Sequence, residues 1–492
     1  MSKLLSETVS VCPECLTRIP AARVAEGENV YLQKTCPEHG EFSTIIWRGW
    51  PAFEGWVRAK TPSFPKNPIT EVKKGCPFDC GLCPDHQQQS CCVLLEVTQR
   101  CDLGCPVCFA DAANCPPPDL SLAEIGSWYE RLLAAGGPFN IQLSGGEPCV
   151  RDDLPEIIRL GRSYGFTFFQ LNTNGLRLAR DRAYLEELKQ AGLTTVFLQF
   201  DGTDDEIFKK IRGRALLKQK MAVIQACAEL QIGVVLVPTL VPGVNTADIG
   251  NILRLALAHM PQVRGVHFQP ISYFGRYYQQ APADADRVTI PEVIRAIEEQ
   301  SAGLLTAGAF CPPGGENALC SFHGNFVQMP DGRLKALTRH KAPVALAGDR
   351  LPVLGRSLNL DMLIQSLPQT GSGCCGLPAS PVKPVEAAQG AARSREFVAE
   401  HWAAPVEKAE LSPISGPSFG EWDVFLERKR THTFCVSGMA FQDAWTLDLE
   451  RLRDCYIHTA SPDGRLVPFC AYNLTDSQGH SLYRRNDETH SA

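Results

Sequence analysis

The chain has 492 residues, a length that suits about two to four domains. Apolar residues make up 44% of it and charged residues 21%, as in globular proteins, and the net charge of −6 gives no electrostatic indication of nucleic-acid binding. We find no signal-peptide core and no apolar run of transmembrane length, so we expect a cytoplasmic protein without an integral membrane segment. Most of the 21 cysteines fall in tight clusters, which indicates metal or iron–sulfur sites rather than disulfides.

Residues 1–50 carry two short cysteine turns. Cys12-Pro-Glu-Cys15 and Cys36-Pro-Glu-His39 lie between β-branched runs, a pattern typical of a zinc-ribbon or rubredoxin-like module. A module of this size lacks a core and needs a metal to fold. We therefore predict that Cys12, Cys15, Cys36 and His39 bind zinc or a single iron in a structural role. The spacing does not choose between the two metals.

Residues 51–90 contain a second cysteine motif, Cys76-Pro-Phe-Asp-Cys80-Gly-Leu-Cys83. We predict that Cys76, Cys80 and Cys83 ligate an auxiliary iron–sulfur cluster. Its fourth ligand is expected to be His86, Cys91, Cys92 or a distant residue.

Residues 91–300 alternate between apolar strand-like runs and helical patterns. We predict strands at 93–97, 139–143, 166–171, 195–200, 233–237 and 265–269. One predicted helix begins at Ser121, where Glu124 completes a capping box, and others lie near 180–191, 216–230 and 247–260. Six β/α units in series predict an α/β fold, a partial (β/α)6 TIM-like barrel, with its active site at the C-terminal ends of the strands.

A third cysteine motif directly follows the first of these strands. Cys101, Cys105 and Cys108 have the spacing C-x3-C-x2-C, so they can ligate three irons of a [4Fe–4S] cluster and leave the fourth iron open to a small molecule. The glycine-rich turn Gly145-Gly146-Glu147-Pro148 follows the second strand. A structural zinc site is the alternative, but it requires a fourth ligand and does not predict this turn.

Residues 301–492 break the alternation. A stretch at 377–419 is rich in Ala, Pro and Ser and predicts a flexible insert. Asp-Gly turns at 330–334 and 462–466 predict two hairpins. Cysteines lie close to both turns, and we predict that they form one further [4Fe–4S] site from Cys311, Cys320, Cys455 and Cys470. Cys435, Cys374 or Cys375 are possible substitutes for one of them.

The cysteine motif ending in Phe109 and the Gly-Gly-Glu-Pro turn resemble the cluster motif and the GGEP element of the radical S-adenosylmethionine (SAM) superfamily. The wider set of motifs, including 198–213 and 438–473, is similar to the archaeal tetraether lipid synthases and the radical SAM methyltransferases acting on methanopterin. It is also similar to bacterial radical SAM (seleno)proteins. The resemblance covers nearly the whole chain apart from 377–419.

The resemblance implies that Cys101, Cys105 and Cys108 hold a [4Fe–4S] cluster to which SAM binds exchangeably. It also implies one or two auxiliary [4Fe–4S] clusters and a mononuclear metal in the N-terminal module. We expect Gly145 and Gly146 to let the backbone approach SAM, since a side chain would collide with it. The expected SAM contacts are Phe109 near the adenine, Gly145, Gly146, Glu147, Pro148, Asn174, Gln199 and Asp201, with the Asp201 carboxylate a candidate for a ribose hydroxyl.

The expected function is reductive cleavage of SAM to a 5′-deoxyadenosyl radical and hydrogen abstraction from an unactivated carbon. Carbon–carbon bond formation or methylation of a small-molecule or lipid-like substrate would follow, with ferredoxin or flavodoxin as electron donor. A methylase would also release S-adenosylhomocysteine. The alternatives are a peptide- or thiol-modifying maturase and a non-enzymatic iron–sulfur electron-transfer protein.

Overall fold

A computed structural model of the chain describes residues 2–58, 63–112, 118–277, 281–340, 388–405 and 421–484. Cys374 and Cys375 lie outside these residues. Within them, no helix combines the length and the apolar character needed to cross a membrane.

The N-terminal module is a four-stranded antiparallel sheet whose strands follow one another in chain order. The strands are β1 Ser2–Val11, β2 Arg18–Glu26, β3 Asn29–Cys36 and β4 Gly40–Arg48. Because each strand reverses direction, the turn before β2 and the turn before β4 lie at the same end of the sheet. The predicted ribbon is confirmed, and its two cysteine turns meet.

The six predicted barrel strands are all present and run parallel. They are β5 Cys92–Thr98, β6 Asn140–Gly145, β7 Phe169–Thr173, β8 Thr195–Gln199, β9 Gly233–Val237 and β11 Val263–Pro270, while the short β10 Thr239–Leu240 pairs with the end of β11. Every residue of β5 and β9 is buried. Burial on both faces is typical of a parallel sheet covered by helices, and it explains the continuous apolar runs in the sequence.

Helices connect these strands and cover the outside of the barrel. They are α1 Leu122–Ala134, α2 Leu154–Ser163, α3 Arg182–Ala191, α4 Asp205–Arg212, α5 Leu217–Glu229, α6 Ile249–Ala258 and α7 Ile290–Gln300. Helix α1 begins with the predicted capping box, in which Ser121 N donates to Glu124 at 2.7 Å and Glu124 N donates to Ser121 Oγ at 3.3 Å. The predicted start of this helix is therefore confirmed.

The C-terminal region extends the barrel sheet at both edges. Its strands are β12 Ser321–Gln328, β13 Leu334–Ala336, β14 Thr433–Met439, β15 Ile457–Ala460 and β16 Leu466–Pro468. Strand β14 runs parallel beside β11, and β15 runs parallel beside β5. The two predicted Asp-Gly hairpins are confirmed as the pairs β12/β13 and β15/β16. Among the described residues, the six-stranded barrel wall thus becomes one of eight parallel strands.

Part of the predicted flexible insert is a helix. The remaining helices are α8 Ala388–Trp402, α9 Glu421–Thr431, α10 Leu449–Arg453 and α11 Phe469–Tyr472. Helix α8 crosses the N-terminal ends of the barrel strands, where Asn140 Nδ2 donates to Arg395 O at 3.1 Å and Arg264 Nε donates to His401 O at 3.1 Å. The loop prediction for 377–419 is therefore wrong over 388–402, and most of the rest of that stretch lies outside the described residues.

Candidate active site

A cavity of about 580 Å³ occupies the barrel between the C-terminal ends of the strands and helix α8. Its wall at the strand ends includes Cys101, Cys105, Cys108, Phe109, Gly145, Gly146, Glu147, Asn174 and Gln199. Its deeper wall includes Gln142, Gln170, Asn172, Phe197, His267, Ser437 and Trp402. The structure thus brings most of the predicted SAM-site residues to one wall, and the barrel interior behind them is rich in polar side chains.

The loop of residues 101–108 places three thiols on this wall. Main-chain hydrogen bonds of 2.9 Å in both directions join Cys108 to Arg276, and Arg276 Nε donates to Cys105 O at 2.9 Å. Burial raises the pKa of Cys101 to about 12, so this thiol is neutral at neutral pH without a metal. Three cysteines on one loop that line the same cavity fit a [4Fe–4S] cluster with one open iron.

The predicted ribose contact of Asp201 is contradicted by its surroundings. Asp201 is fully buried, and its carboxylate accepts from Arg212 Nε at 2.7 Å, from Arg212 Nη2 at 2.8 Å and from Thr239 N at 3.1 Å. Both oxygens are therefore engaged within the protein. Arg212 itself lines the cavity, and sequence reasoning missed it although it lies within the motif at 198–213.

Gly145 and Gly146 are required by contacts within the protein's own backbone. A Cβ at Gly145 would lie 2.1 Å from Thr98 O, and one at Gly146 would lie 2.1 Å from Arg100 O. Gly145 also has a φ of +121°, which other residues rarely adopt. Gly146 N donates to Thr98 O at 2.8 Å, so the glycines let this turn dock on the segment after β5.

Glu147 joins this turn to the loop after β7. Its carboxylate accepts from Cys149 N at 3.0 Å, from Thr173 Oγ1 at 2.6 Å and from Asn174 N at 2.6 Å. Pro148 begins the short 3₁₀ turn at Pro148–Val150 and fixes the chain direction there. Burial raises the pKa of Glu147 above its usual range despite these donors. Asn174 in turn donates to Asp102 at 2.7 Å and so links the turn to the cysteine loop.

A buried lysine supports the same wall from behind. Lys220 Nζ donates to Asn174 O at 2.5 Å and to Gln199 Oε1 at 3.4 Å. Burial lowers the pKa of Lys220 to about 8. The amphipathic pattern of α5 gave no sign of it, because one lysine in a helix is usually exposed.

Phe109 faces the cavity mouth. Its ring centroid lies 5.6 Å from that of Phe469, and the guanidinium of Arg484 lies 5.7 Å from its centre. Arg484 also pairs with Glu96 on β5. The C-terminal part of the chain thus holds Phe109 in place, an arrangement that no local sequence pattern indicates.

The four predicted ligands of the N-terminal module lie together. One ligand atom from each of Cys12, Cys15, Cys36 and His39 lies within 4.8 Å of the others, and His39 Nδ1 is 3.6 Å from Cys12 Sγ and 3.5 Å from Cys36 Sγ. A zinc ion bonded to sulfur at about 2.3 Å holds its tetrahedral ligand atoms about 3.5–4 Å apart. The set therefore fits one tetrahedrally coordinated metal ion.

The predicted C-terminal cysteine set is regrouped. Cys320, Cys455 and Cys470 lie near one another. Burial is the largest cause that raises the pKa of Cys455, and the charges of Cys470 and Cys320 raise it further. Arg451 Nε lies 3.5 Å from Cys320 Sγ. Cys311 is placed elsewhere, because its backbone pairs with that of His323 on β12 and the charge acting on its thiol is that of Arg58. These contacts therefore do not group Cys311 with the other three thiols.

The second motif also gathers its thiols. Hydrogen bonding to Cys76 and burial raise the pKa of Cys80, whose neighbours include Cys83. Tyr483 Oη accepts from Cys80 N at 2.8 Å. Of the expected fourth ligands, His86 directs its Nε2 to Cys455 O at 2.6 Å, and Cys91 and Cys92 line the barrel cavity. None of these three side chains is placed as a ligand of this set.

Comparisons with known proteins agree with this arrangement. A family model of the radical SAM superfamily matches residues 95–256, and a model of the HMPTM N-terminal zinc ribbon domain matches residues 4–48. The 7,8-dihydro-6-hydroxymethylpterin dimethyltransferase of Methanocaldococcus jannaschii is 34% identical over 96% of this chain and 94% of its own length. A GTP 3′,8-cyclase of Marinobacter nauticus is 30% identical, but over 36% of this chain and 54% of its own length.

The solved structures that match part of this chain include SuiB of Streptococcus suis bound to the precursor peptide SuiA. It has a TM-score of 0.36 and 13% identity and covers 44% of this chain and 46% of that one. The archaeal relative spans nearly the whole chain, and the superfamily model spans both the cysteine loop and the glycine turn at the cavity. The chain therefore belongs to the radical SAM superfamily, as an enzyme of methyltransferase type that uses SAM and a [4Fe–4S] cluster and carries further metal sites.

Proposed function

We propose that this enzyme methylates a ring or side-chain carbon of a reduced pterin, or of a closely related nitrogen heterocycle, inside the barrel cavity. The observation that carries this proposal is the polar interior of the barrel. Gln142, Gln170, Asn172, Gln199 and Gln269 all line the cavity, at wall positions where (β/α) barrels usually carry branched apolar residues. The full-length similarity to a pterin dimethyltransferase supports the same substrate class.

The polar wall argues against the lipid-like substrate that the sequence left open. Amide groups that face an alkyl chain would lose their hydrogen bonds to water without replacement, at a cost in binding free energy. A cavity of about 580 Å³ is also in the range that encloses a small organic ligand. A compact heterocycle with several ring nitrogens suits both the volume and the wall.

In this proposal Cys101, Cys105 and Cys108 hold the SAM-binding [4Fe–4S] cluster. When bound, the cluster and SAM supply the electron transfer that cleaves SAM and yields the hydrogen-abstracting 5′-deoxyadenosyl radical. The turn at Gly146 and Glu147 positions the methionyl group, and Phe109 packs on the adenine. Asn174 and Gln199, held by Lys220, orient the rest of SAM at the strand ends.

The other cysteine sets are proposed to serve electron transfer and structure. Two sets would hold auxiliary [4Fe–4S] clusters: Cys76, Cys80 and Cys83, and Cys320, Cys455 and Cys470. Ferredoxin or flavodoxin would supply the electrons. The N-terminal metal stabilises the ribbon, as expected for a closed four-ligand site.

The proposed reaction balances with two SAM molecules and two electrons for each methyl group. The first SAM gives methionine and, after hydrogen abstraction from the substrate C–H bond, 5′-deoxyadenosine. The substrate carbon radical takes a methyl group from the second SAM. One further electron reduces what remains of that SAM to S-adenosylhomocysteine. Equal yields of 5′-deoxyadenosine, S-adenosylhomocysteine and new methyl groups are therefore expected.

The test uses the full chain, reconstituted anaerobically with iron and sulfide and supplied with dithionite, methyl-deuterated SAM and 7,8-dihydro-6-hydroxymethylpterin. Mass spectrometry should show the pterin with one or two deuterated methyl groups, and Cys105→Ala should form none. SAM cleavage by the wild type without any methylated pterin would overturn the proposed substrate class. Parallel reactions with GTP and with a cysteine-containing peptide show whether either of those is modified instead.

A further inference from the structure

Gln170 on β7 is a buried side chain with unused hydrogen-bonding capacity. It is fully buried and lines the barrel cavity. Its Nε2 donates to Asn172 Oδ1 at 2.9 Å, but its Oε1 has no hydrogen-bond partner among the described residues. An unpaired buried acceptor is costly, so its presence at a cavity wall points to a ligand that supplies the missing donor.

Gln170 and Asn172 present a matched pair of groups. They are two residues apart on one strand, so both side chains face the same side of the sheet. Because the hydrogen bond between them uses Gln170 Nε2 and Asn172 Oδ1, the acceptor Gln170 Oε1 and the donor Asn172 Nδ2 remain for a ligand. Reversing both amide orientations exchanges these two groups but still leaves one donor beside one acceptor.

The residues that flank this amide pair on the neighbouring strands are Gln142 and Phe197, and they present different groups to the cavity. Gln142 pairs in register with Gln170, and its side chain lies beside the buried thiol of Cys92. Phe197 pairs in register with Asn172 on the other side, and its ring stacks on Trp402 of α8 with centroids 5.3 Å apart and an interplanar angle of 28°. A flat apolar surface therefore lies directly beside the amide pair.

We propose that Gln170 and Asn172 recognise the lactam edge of a planar nitrogen heterocycle, in which a ring N–H lies next to a carbonyl. The N–H donates to one amide and the carbonyl accepts from the other, while the ring packs against Phe197. This inference rests on the proposed function and deepens it, since it names the part of the pterin that selects the substrate. With the amides oriented as in the structure, a heterocycle with an amino group in place of the carbonyl presents the opposite pattern and makes neither hydrogen bond.

The test measures equilibrium binding, with no turnover required. The anaerobic, reconstituted full chain with SAM and without reductant is titrated with 7,8-dihydro-6-hydroxymethylpterin and with its 2,4-diamino analogue, and ligand fluorescence is followed. The wild type should prefer the lactam by about tenfold or more, and Gln170→Leu should reduce this preference to about threefold or less. Asn172→Leu is a second variant with the same expected direction.

The control is Thr195→Val, because Thr195 is buried and pairs in register with Gln170, while its hydroxyl donates to Gly233 O at 3.0 Å. It should retain the preference for the lactam. Iron content and the thermal melting midpoint identify any variant that has lost its fold. If one of the Gln170 and Asn172 variants is lost in this way, the ligand preference of the other one tests the inference. An unchanged preference in a folded Gln170 or Asn172 variant overturns the inference, as does a wild type that binds neither ligand.

The outcomes separate this inference from the proposed function. Lactam-selective binding that depends on Gln170, without methylation, would support the subsite and refute the proposed reaction. Methylation of the pterin, together with an unchanged preference for the lactam in both variants, would support the proposed reaction and refute the subsite.

Discussion

Arg212 and Asp201 form an ion pair that is buried beside the cysteine loop. Their side chains are 7% and 0% exposed, and two guanidinium nitrogens meet the carboxylate at 2.7 and 2.8 Å. Arg212 Nη1 also donates to Val107 O at 3.2 Å. The pair therefore ties the end of β8 and the end of α4 to the loop that carries Cys105 and Cys108.

Removing one partner of this pair should be more harmful than removing both. We expect Arg212→Met to lower the free energy of unfolding by about 3–5 kcal/mol, because it leaves the Asp201 carboxylate buried without a counter-ion. The double variant Asp201→Leu/Arg212→Met should recover part of that loss. Denaturant titrations of the three reconstituted proteins measure this, and a double variant less stable than the single one would contradict the expectation.

The free energy of unfolding should increase with pH because of the buried side chain of Lys220. Burial lowers its pKa from 10.5 to about 8, so between these values the unfolded chain binds more protons than the folded one and stability increases with pH. Relative to Lys220→Met, the wild type should gain up to about 3 kcal/mol from about pH 7 to pH 10. Denaturation midpoints over this range measure the gain.

Lys218 provides the control for this prediction. It is exposed on the same helix, so Lys218→Met should follow the wild-type pH dependence. If the Lys220→Met and wild-type curves are parallel as well, the buried lysine does not couple folding to pH.

Gly145→Ala should abolish tight SAM binding. The new methyl group would lie 2.1 Å from Thr98 O at a φ of +121°, so the turn must move away from the segment after β5. We expect SAM affinity to fall by about tenfold or more, as measured by equilibrium dialysis of the reconstituted enzyme. Gly308→Ala is the matched control, since a Cβ there meets no atom within 4 Å. Equal SAM affinity in both variants would show that the turn tolerates displacement.

Iron content should distinguish Cys470 from Cys311. If Cys320, Cys455 and Cys470 hold an auxiliary cluster, Cys470→Ala should lower the iron content by about four atoms per chain. Cys311→Ala should leave it unchanged, because this thiol lies beside His323 and Arg58 instead. Iron analysis of both variants after identical reconstitution decides, and a comparable loss in Cys311→Ala would restore the original grouping.

The sequence was informative where a feature depends on neighbouring residues. The capping box at Ser121, the Asp-Gly hairpins and the cysteine turns at Cys12 and Cys36 each follow from a few consecutive residues, and all are present. Continuous apolar runs likewise identified six barrel strands, because parallel strands are buried on both faces.

The failures concern contacts between distant segments. Asp201 was assigned from its place at a strand end and Cys311 from its place before a hairpin. The ion pair of Asp201 with Arg212 and the backbone pairing of Cys311 with His323 form only in the folded chain. Helix α8 was not predicted because its sequence, which contains Ala, Ser and Arg, lacks a strong apolar stripe. Its position is set by contacts with the N-terminal ends of the barrel strands, which are distant in the sequence. The unpaired amide of Gln170 is equally invisible without the neighbouring strands.

The pairing of β15 with β5 has a consequence for biogenesis. Residues 92–94 at the start of the barrel pair with residues 457–459, so the wall of eight parallel strands cannot be complete until those later residues have left the ribosome. Such non-local parallel pairing forms slowly. Until β15 has been made, β5 remains an unpaired edge of the nascent sheet.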